Sequence, residues 1–175
     1  VAHRFKLRMP VTFKYQNFSK GGSIYGSLVA TNAQLDKAKL VNPKIVFIHC
    51  GINDLIFNVE APIDVNTIIS NLDTIVQAFP DSIIFIDEVL PATNRSSEEN
   101  IRINNLNEAL LAFSLDNGVN LVNCYDEMAV INENTGLLTE INPIYQRGDG
   151  LHLSLLGVDK LAELIYNKFI TVVNI

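Results

Sequence analysis

The sequence predicts an α/β fold in which a parallel sheet is covered by helices on both faces. Short apolar runs typical of strands alternate along the chain with longer segments whose apolar residues repeat at helical spacing. Two of the strand-like runs, 44–50 and 82–89, are almost continuously apolar, as expected of parallel strands buried on both faces. Strands separated by helices are joined as βαβ units, and these units build parallel sheets.

Four strands and four helices are predicted, and they alternate along the chain. The strands are expected at 11–18, 44–50, 82–89 and 119–126. The helices are expected at 28–41, 66–78, 97–116 and 155–172. Gly118 is placed to end the third helix, and Ser154 is placed to cap the start of the fourth. The segment 127–148 is predicted to be a long irregular loop, and loops of that length in compact domains are usually functional.

Length and composition narrow the class of protein. A chain of 175 residues predicts a single domain, over residues 1–175, with enough length for a full core. Apolar residues make up 48% of the sequence and charged residues 18%, which is typical of a globular protein. The 13 basic and 19 acidic residues give a net charge of −6, which argues against a nucleic-acid partner. No apolar run is long enough to span a membrane, and the compartment (cytoplasmic or secreted) and the oligomeric state stay open.

The first ten residues are unusual for the start of a chain. They contain no initiator Met, and Val1, Phe5 and Met9 repeat at helical spacing before Pro10 ends the pattern. We therefore expect the sequence to begin inside a helix and the domain to be N-terminally incomplete.

The cysteines and histidines do not form a metal-binding pattern. Cys50 and Cys124 each end an apolar run, which predicts buried free thiols rather than a disulfide framework. The three histidines have no cysteine cluster beside them, so no metal site is expected. His49 lies in the predicted strand 44–50 and is expected to be a core histidine.

Candidate functional residues follow the predicted strands, where open α/β sheets bind their ligands. Gly21 and Gly22 follow the first strand and allow a tight turn with exposed backbone N–H groups. Asn53, in "GINDL", follows the second strand and brings a carboxamide to the same edge. A backbone N–H and a carboxamide that converge on one point can donate to the same oxygen and so form an oxyanion hole. The ordinary alternatives are a simple turn at Gly21 and Gly22 and a cap of the next segment by Asn53 and Asp54.

The segment "GDGLH" precedes the last predicted helix and carries Asp149 and His152 three positions apart. At this spacing the carboxylate can accept a hydrogen bond from His152 Nδ1–H, which leaves Nε2 to act as a general base. The alternative is that both are ordinary polar residues at a helix entrance.

Taken together, these segments resemble the SGNH (GDSL-type) esterases and lipases, over the whole chain from about residue 1. The family's second block matches "NFSKGG", with Gly22 the best aligned residue and Gly21 a possible one. The third block, Gly-x-Asn-Asp, matches "GIND", and the fifth block, Asp-x-x-His, matches "DGLH". The resemblance implies a flavodoxin-like three-layer fold. It also implies Gly22 and Asn53 as oxyanion-hole donors, Asp149 and His152 as catalytic residues, and supporting roles for Gly51 and Asp54.

The family's first block, which carries the nucleophilic serine, has no match here. Ser23 in "GGSIYG" is a weak substitute, because only 28 residues separate it from Gly51 and "NFSKGG" already fits the second block. The segment also lacks the last glycine of a Gly-x-Ser-x-Gly elbow. We therefore expect an upstream strand and a Ser-bearing turn in the intact protein, so that the first central strand is missing from this chain.

The resulting expectation is a serine esterase that acts on short acyl or acetyl esters, with carbohydrate esters included. The resemblance implies a small-molecule ester substrate and no cofactor. A non-catalytic binding module of the same fold is the first alternative. An unrelated phosphate- or nucleotide-binding domain is the second, but the chain has neither a P-loop nor a Gly-x-Gly-x-x-Gly segment that opens a helix.

Overall fold

The structure, a computed structural model, describes residues 4, 8, 14–18, 21–30, 33–56, 63–131, 133, 136 and 138–173. The chain divides into two compact units. The sheet unit consists of Phe18–Val89 and Arg102–Leu121. The hairpin unit consists of Val1–Asn17, Leu90–Ile101 and Val122–Ile175. The single domain expected from length stays a prediction.

The sheet unit alternates helices and strands, as predicted. Its elements are α1 (Tyr25–Ala30), α2 (Ala33–Leu40), β1 (Ile45–Ile48), α3 (Ile52–Ile56), α4 (Val65–Gln77), β2 (Ile83–Asp87), most of α5 (Ser97–Asn117) and most of β3 (Asn120–Val122). The sheet has the order β1–β2–β3, and β1 runs parallel to β2 with Ile45 opposite Ile83. This arrangement confirms the α/β class with a parallel sheet.

The burial of β2, the middle strand, explains why its sequence is so apolar. Ile84, Phe85 and Ile86 of β2 are at most 6% exposed, although successive strand residues point to opposite faces. Both faces of β2 are therefore buried, and an alternating apolar–polar sequence would leave polar groups in the core.

Helix α4 shows how local sequence sets an element. Asp64 caps its start, because the side chain accepts a hydrogen bond from Thr67 N–H at 3.2 Å. The apolar side chains repeat at helical spacing and are buried: Ile68, Leu72, Ile75 and Val76. The helix matches the predicted span 66–78 to within one residue.

Helix α5 ends where the sequence predicts. Gly118 has φ +64°, a left-handed conformation that suits glycine just beyond a helix. Within the sheet unit, Asn107 of α5 is 8% exposed and clamps the end of β2: its side chain accepts from Val89 N–H at 2.8 Å and donates to Val89 O at 2.9 Å. These bonds fix the backbone just after β2, where the sheet's carboxyl edge lies.

The hairpin unit contains shorter elements and one long helix. They are α6 (Tyr125–Met128), β4 (Ala129–Ile131), β5 (Leu138–Ile141) and α7 (Leu155–Val173). Strands β4 and β5 pair antiparallel. Ser154 caps α7, since its Oγ accepts from Gly157 N–H at 3.1 Å, as predicted. Within the described ranges, no helix is both long and apolar enough to cross a membrane.

Three sequence predictions were wrong in detail. The segment 127–148 is not simply a loop, because it contains the β4–β5 hairpin. The predicted strand 119–126 ends at Val122, and the helical part of the predicted segment 28–41 begins earlier, because α1 starts at Tyr25. Residues 31–32, between α1 and α2, lie outside the described residues. A strand of three or four residues is too short to show a periodicity of its own, so backbone pairing with another segment decides it.

The first predicted strand, 11–18, is not found in its described part. Residues 14–18 lie outside any strand, and residues 11–13 lie outside the described residues. A β-favouring sequence becomes a strand only when a neighbour pairs with its backbone, and sequence alone does not supply that neighbour. Of the predicted N-terminal helix, only Arg4 and Arg8 are described, and both are helical. The expected additional central strand stays a prediction.

Candidate active site

The predicted site residues form two groups, one in each unit. Gly22, Asn53 and their supporting residues belong to the sheet unit. Asp149 and His152 belong to the hairpin unit. Each group has its own geometry.

The glycine turn before α1 requires glycine at only one of its two positions. Gly22 has φ +75°, a conformation that other residues rarely adopt. Gly21 has no positive φ, and a Cβ built there would have no atom within 4 Å. Backbone geometry therefore singles out Gly22, the residue that the resemblance aligns best.

Gly51 lets the chain turn sharply out of β1. It is buried, has φ +121°, and a Cβ built on it would lie 2.7 Å from Val89 Cγ2 and 3.3 Å from Leu106 Cδ2. Both the backbone conformation and the space therefore exclude a side chain. This tight turn leads directly into α3, which begins at Ile52 and carries Asn53 and Asp54.

The Asn53 carboxamide is fixed against the glycine turn. Its Nδ2 donates a hydrogen bond to Ser23 O at 3.1 Å, and Cys50 Sγ–H reaches the same carbonyl at 3.4 Å. An amide nitrogen carries two hydrogens. Among the described residues no partner is found for the second, which leaves one oriented donor in a half-buried side chain.

Asp54 ties the same turn to the start of α1. Its side chain is 1% exposed, and its oxygens accept from Tyr25 N–H at 3.0 Å and 3.3 Å. Burial raises the pKa of Asp54 to about 6, although the hydrogen bond from Tyr25 N–H acts in the opposite direction. Three neighbouring residues thus fix this part of the chain. Gly51 makes the turn, Asn53 binds Ser23 O, and Asp54 binds Tyr25 N–H.

The raised pKa of Asp54 predicts a pH-dependent stability. Between its unfolded pKa near 3.8 and its folded pKa of about 6, the native state binds more protons than the unfolded state, so stability falls as pH rises through this window. Asp54→Asn keeps an acceptor for Tyr25 N–H but does not titrate. From pH 4 to pH 7 we expect the wild type to lose about 2 kcal/mol of unfolding free energy relative to this variant.

Denaturant unfolding of both proteins across this pH range measures the difference. Asp81→Asn, which removes an exposed carboxylate from the same unit, is the matched control. Parallel stability profiles for the wild type and Asp54→Asn would contradict the prediction.

In the hairpin unit, Asp149 and His152 form a hydrogen-bonded pair. Asp149 Oδ2 lies 2.8 Å from His152 Nδ1, and Asp149 Oδ1 accepts from the backbone N–H groups of His152 at 2.8 Å and Leu151 at 3.0 Å. These bonds, that of His152 N–H first, hold the pKa of Asp149 well below its usual range. The carboxylate stays ionised and occupies Nδ1, so Nε2 is the ring nitrogen left for chemistry.

The loop that carries this pair is closed by backbone contacts. Gln146 and Leu153 form an antiparallel bridge, and Arg147 N–H donates to His152 O at 2.8 Å. Gly150 N–H donates to Gln146 Oε1 at 2.9 Å. The pair is therefore held by a tight loop, while the His152 side chain itself is 67% exposed.

His49 differs from its prediction as a core histidine. Its side chain is 60% exposed, and its Nδ1 lies 2.6 Å from Oδ2 of Asp87, a carboxylate that is only 2% exposed. The negative charge of Asp87 raises the pKa of His49. Asp87 was not among the predicted site residues, although an acidic residue at the end of a buried apolar run is a usable signal.

The cysteines match their prediction in part. Neither forms a disulfide, and Cys124 is buried, but Cys50 is half-buried rather than buried. Burial raises the pKa of Cys50 to about 12, so its thiol stays protonated at neutral pH and is a poor nucleophile.

Comparison with known protein families shows the family to which the chain belongs. A family model described as the GDSL-like lipase/acylhydrolase family matches residues 1–160. The chain belongs to the GDSL-like lipase/acylhydrolase family. Comparison with curated protein sequences finds no match.

Solved structures of GDSL-like and related hydrolases share the fold. A putative acylhydrolase from Bacteroides fragilis is 23% identical, with a TM-score of 0.66 over 84% of this chain and 70% of that one. A carbohydrate esterase family 3 protein from Talaromyces cellulolyticus is 17% identical, with a TM-score of 0.67 over 87% and 69%. An acetyl xylan esterase is 18% identical, with a TM-score of 0.68 over 85% and 77%. The likeness confirms the predicted fold class.

Proposed function

We propose that this GDSL-like protein is a serine ester hydrolase for short acyl esters, with acetyl esters of carbohydrates as the preferred class. The observation that carries the proposal is the Asp149–His152 pair, whose 2.8 Å contact leaves Nε2 available on an exposed imidazole. Membership of a lipase/acylhydrolase family supports ester hydrolysis as the reaction.

The proposal assigns the proton transfers to His152. A serine hydroxyl attacks the ester carbonyl carbon, and His152 Nε2 accepts the hydroxyl proton. The tetrahedral adduct collapses as His152 returns this proton to the departing alcohol, which leaves an acyl-serine. Water then attacks the acyl group by the same steps and releases the acid. Asp149 keeps the proton on Nδ1 and stabilises the imidazolium.

We assign the binding of the oxyanion to Gly22 and Asn53. The backbone N–H of Gly22 and the second N–H of Asn53 Nδ2 donate to the oxygen that becomes negative in the tetrahedral adduct. The fixed carboxamide of Asn53 supports this role, because a donor held before the reaction does not have to reorganise during it. Gly51 and Asp54 are assigned to support the turn that carries these donors.

The attacking hydroxyl is proposed to come from the Ser-bearing block expected in the intact protein. Ser23 is the rival position within the chain. The raised pKa of Cys50 supports a serine rather than a cysteine nucleophile. The names of two relatives with the same fold, a carbohydrate esterase and an acetyl xylan esterase, support acetyl esters on sugars as the first substrates to test.

Ester hydrolysis by the intact protein tests the proposal. We expect faster turnover of p-nitrophenyl acetate than of its long-chain analogues, and release of acetate from acetylated xylan. A fluorophosphonate probe should label one serine, and peptide mapping should place it outside residues 21–26. Labelling at Ser23 would move the nucleophile there. Absence of both hydrolysis and labelling would refute the proposal and favour a non-catalytic module.

A further inference from the structure

One side chain of the hairpin unit holds the segment between Asp149 and His152. Asn94 lies in the turn that precedes α5, and its Nδ2 donates a hydrogen bond to Asp149 O at 3.0 Å. The backbone N–H of Asn94 reaches the next carbonyl, Gly150 O, at 3.4 Å. Two consecutive peptide carbonyls therefore accept hydrogen bonds from a single residue.

Asn94 also packs tightly against this segment. Gly150 is buried and has φ +76°, and a Cβ built on it would lie 2.8 Å from both the N and the Cβ of Asn94. Any residue other than glycine would push the two segments apart. The second residue of "DGLH" is therefore a glycine because Asn94 packs against it.

Asn94 is itself held in place by the turn around it. Asn100, which is 1% exposed, accepts from Ala92 N–H at 2.9 Å and donates to Ala92 O at 3.0 Å. Thr93 Oγ1 accepts from Ile141 N–H at 3.1 Å, which ties the turn to β5. The two residues that directly precede Asn94 are therefore both anchored by hydrogen bonds.

We propose that Asn94 is a positioning residue for the Asp149–His152 pair. The Asp149 carboxylate and the His152 imidazole are 46% and 67% exposed, so packing does little to orient them. Their orientation depends instead on the backbone of 149–151, which Asn94 clamps at Asp149 O and Gly150 O. Asn94 acts through Asp149 and does not touch substrate, and its effect on catalysis rests on the proposed role of His152.

The test compares Asn94→Ala and Asn94→Asp with the wild type. Alanine removes the side-chain donor but keeps the backbone N–H. Aspartate keeps the size of the side chain but places an oxygen against Asp149 O, so it preserves packing and loses the hydrogen bond. Asn123→Ala is the control: Asn123 is an exposed asparagine of the same unit for which no hydrogen bond is found in the described part of the chain.

Two readouts separate positioning from general stability. In both Asn94 variants of the intact protein we expect kcat for p-nitrophenyl acetate to fall about 10- to 100-fold, while KM changes little. NMR of the imidazole nitrogens should show neutral His152 almost wholly in the Nδ1–H tautomer in the wild type and the control, and a mixture of tautomers in both variants. A loss of stability in a protein that is still folded would not change the tautomer.

The tautomer measurement does not require turnover. An unchanged tautomer and an unchanged kcat in both variants would overturn the role of Asn94, and so would a defect in Asn94→Ala that Asn94→Asp restores. If His152→Ala retained full esterase activity, the proposed function would fail, and a tautomer shift in the Asn94 variants would still establish the positioning.

Discussion

In the intact protein, His152→Ala should abolish ester hydrolysis, with kcat for p-nitrophenyl acetate lowered about 10⁴- to 10⁶-fold. Without the imidazole, no group accepts the serine proton during attack or protonates the departing alcohol. The KM should change far less, because His152 acts on protons in the transition state rather than on substrate binding. Steady-state kinetics at saturating ester measure the effect.

Loss of the fold would not explain this result. The His152 side chain is 67% exposed, and the loop keeps its backbone bonds, such as that from Arg147 N–H to His152 O, when the ring is removed. The melting temperature should therefore stay close to that of the wild type. Arg147→Ala changes an exposed side chain of the same loop and should keep full activity. A His152→Ala enzyme with wild-type turnover would exclude His152 as the general base.

Asn53→Ala should lower kcat about 10²- to 10³-fold and leave KM nearly unchanged. The carboxamide donates to an oxygen that becomes negative only in the transition state, so its loss raises the barrier without weakening the substrate complex. Initial rates over a range of ester concentrations separate the two constants.

The matched control for Asn53 comes from the second donor to the same carbonyl. Both Asn53 Nδ2 and Cys50 Sγ bind Ser23 O, so loss of either relaxes the glycine turn. Cys50→Ala removes one tether and leaves the proposed oxyanion donor in place, and it should keep kcat close to the wild-type value. An equal loss in both variants would assign the effect to the turn, and an active Asn53→Ala would remove Asn53 from the oxyanion hole.

Much of the sheet unit could be predicted from sequence because its signals are local. Strand β1 is a continuous apolar run, β2 is apolar up to its last residue, Asp87, and α4 has both a repeating apolar face and the Asp64 cap. Gly118 ends α5 through the conformational preference of a single residue, and in the hairpin unit Ser154 begins α7 through a single hydrogen bond. The β4–β5 hairpin was missed because its pairing is decided between separate segments.

The candidate site likewise has features that the sequence predicts and features that only the fold shows. The sequence by itself determined the chemistry: a carboxylate and an imidazole three residues apart, a carboxamide after a buried strand, and glycines at the turns. Only the tertiary structure decided which partners these groups have, because residues distant in the chain supply them. Asp54 binds Tyr25 N–H, Asn94 clamps Asp149 O, and the buried Asp87 pairs with His49. Residue type sets what a group can donate or accept, and folding sets what stands within 3 Å of it.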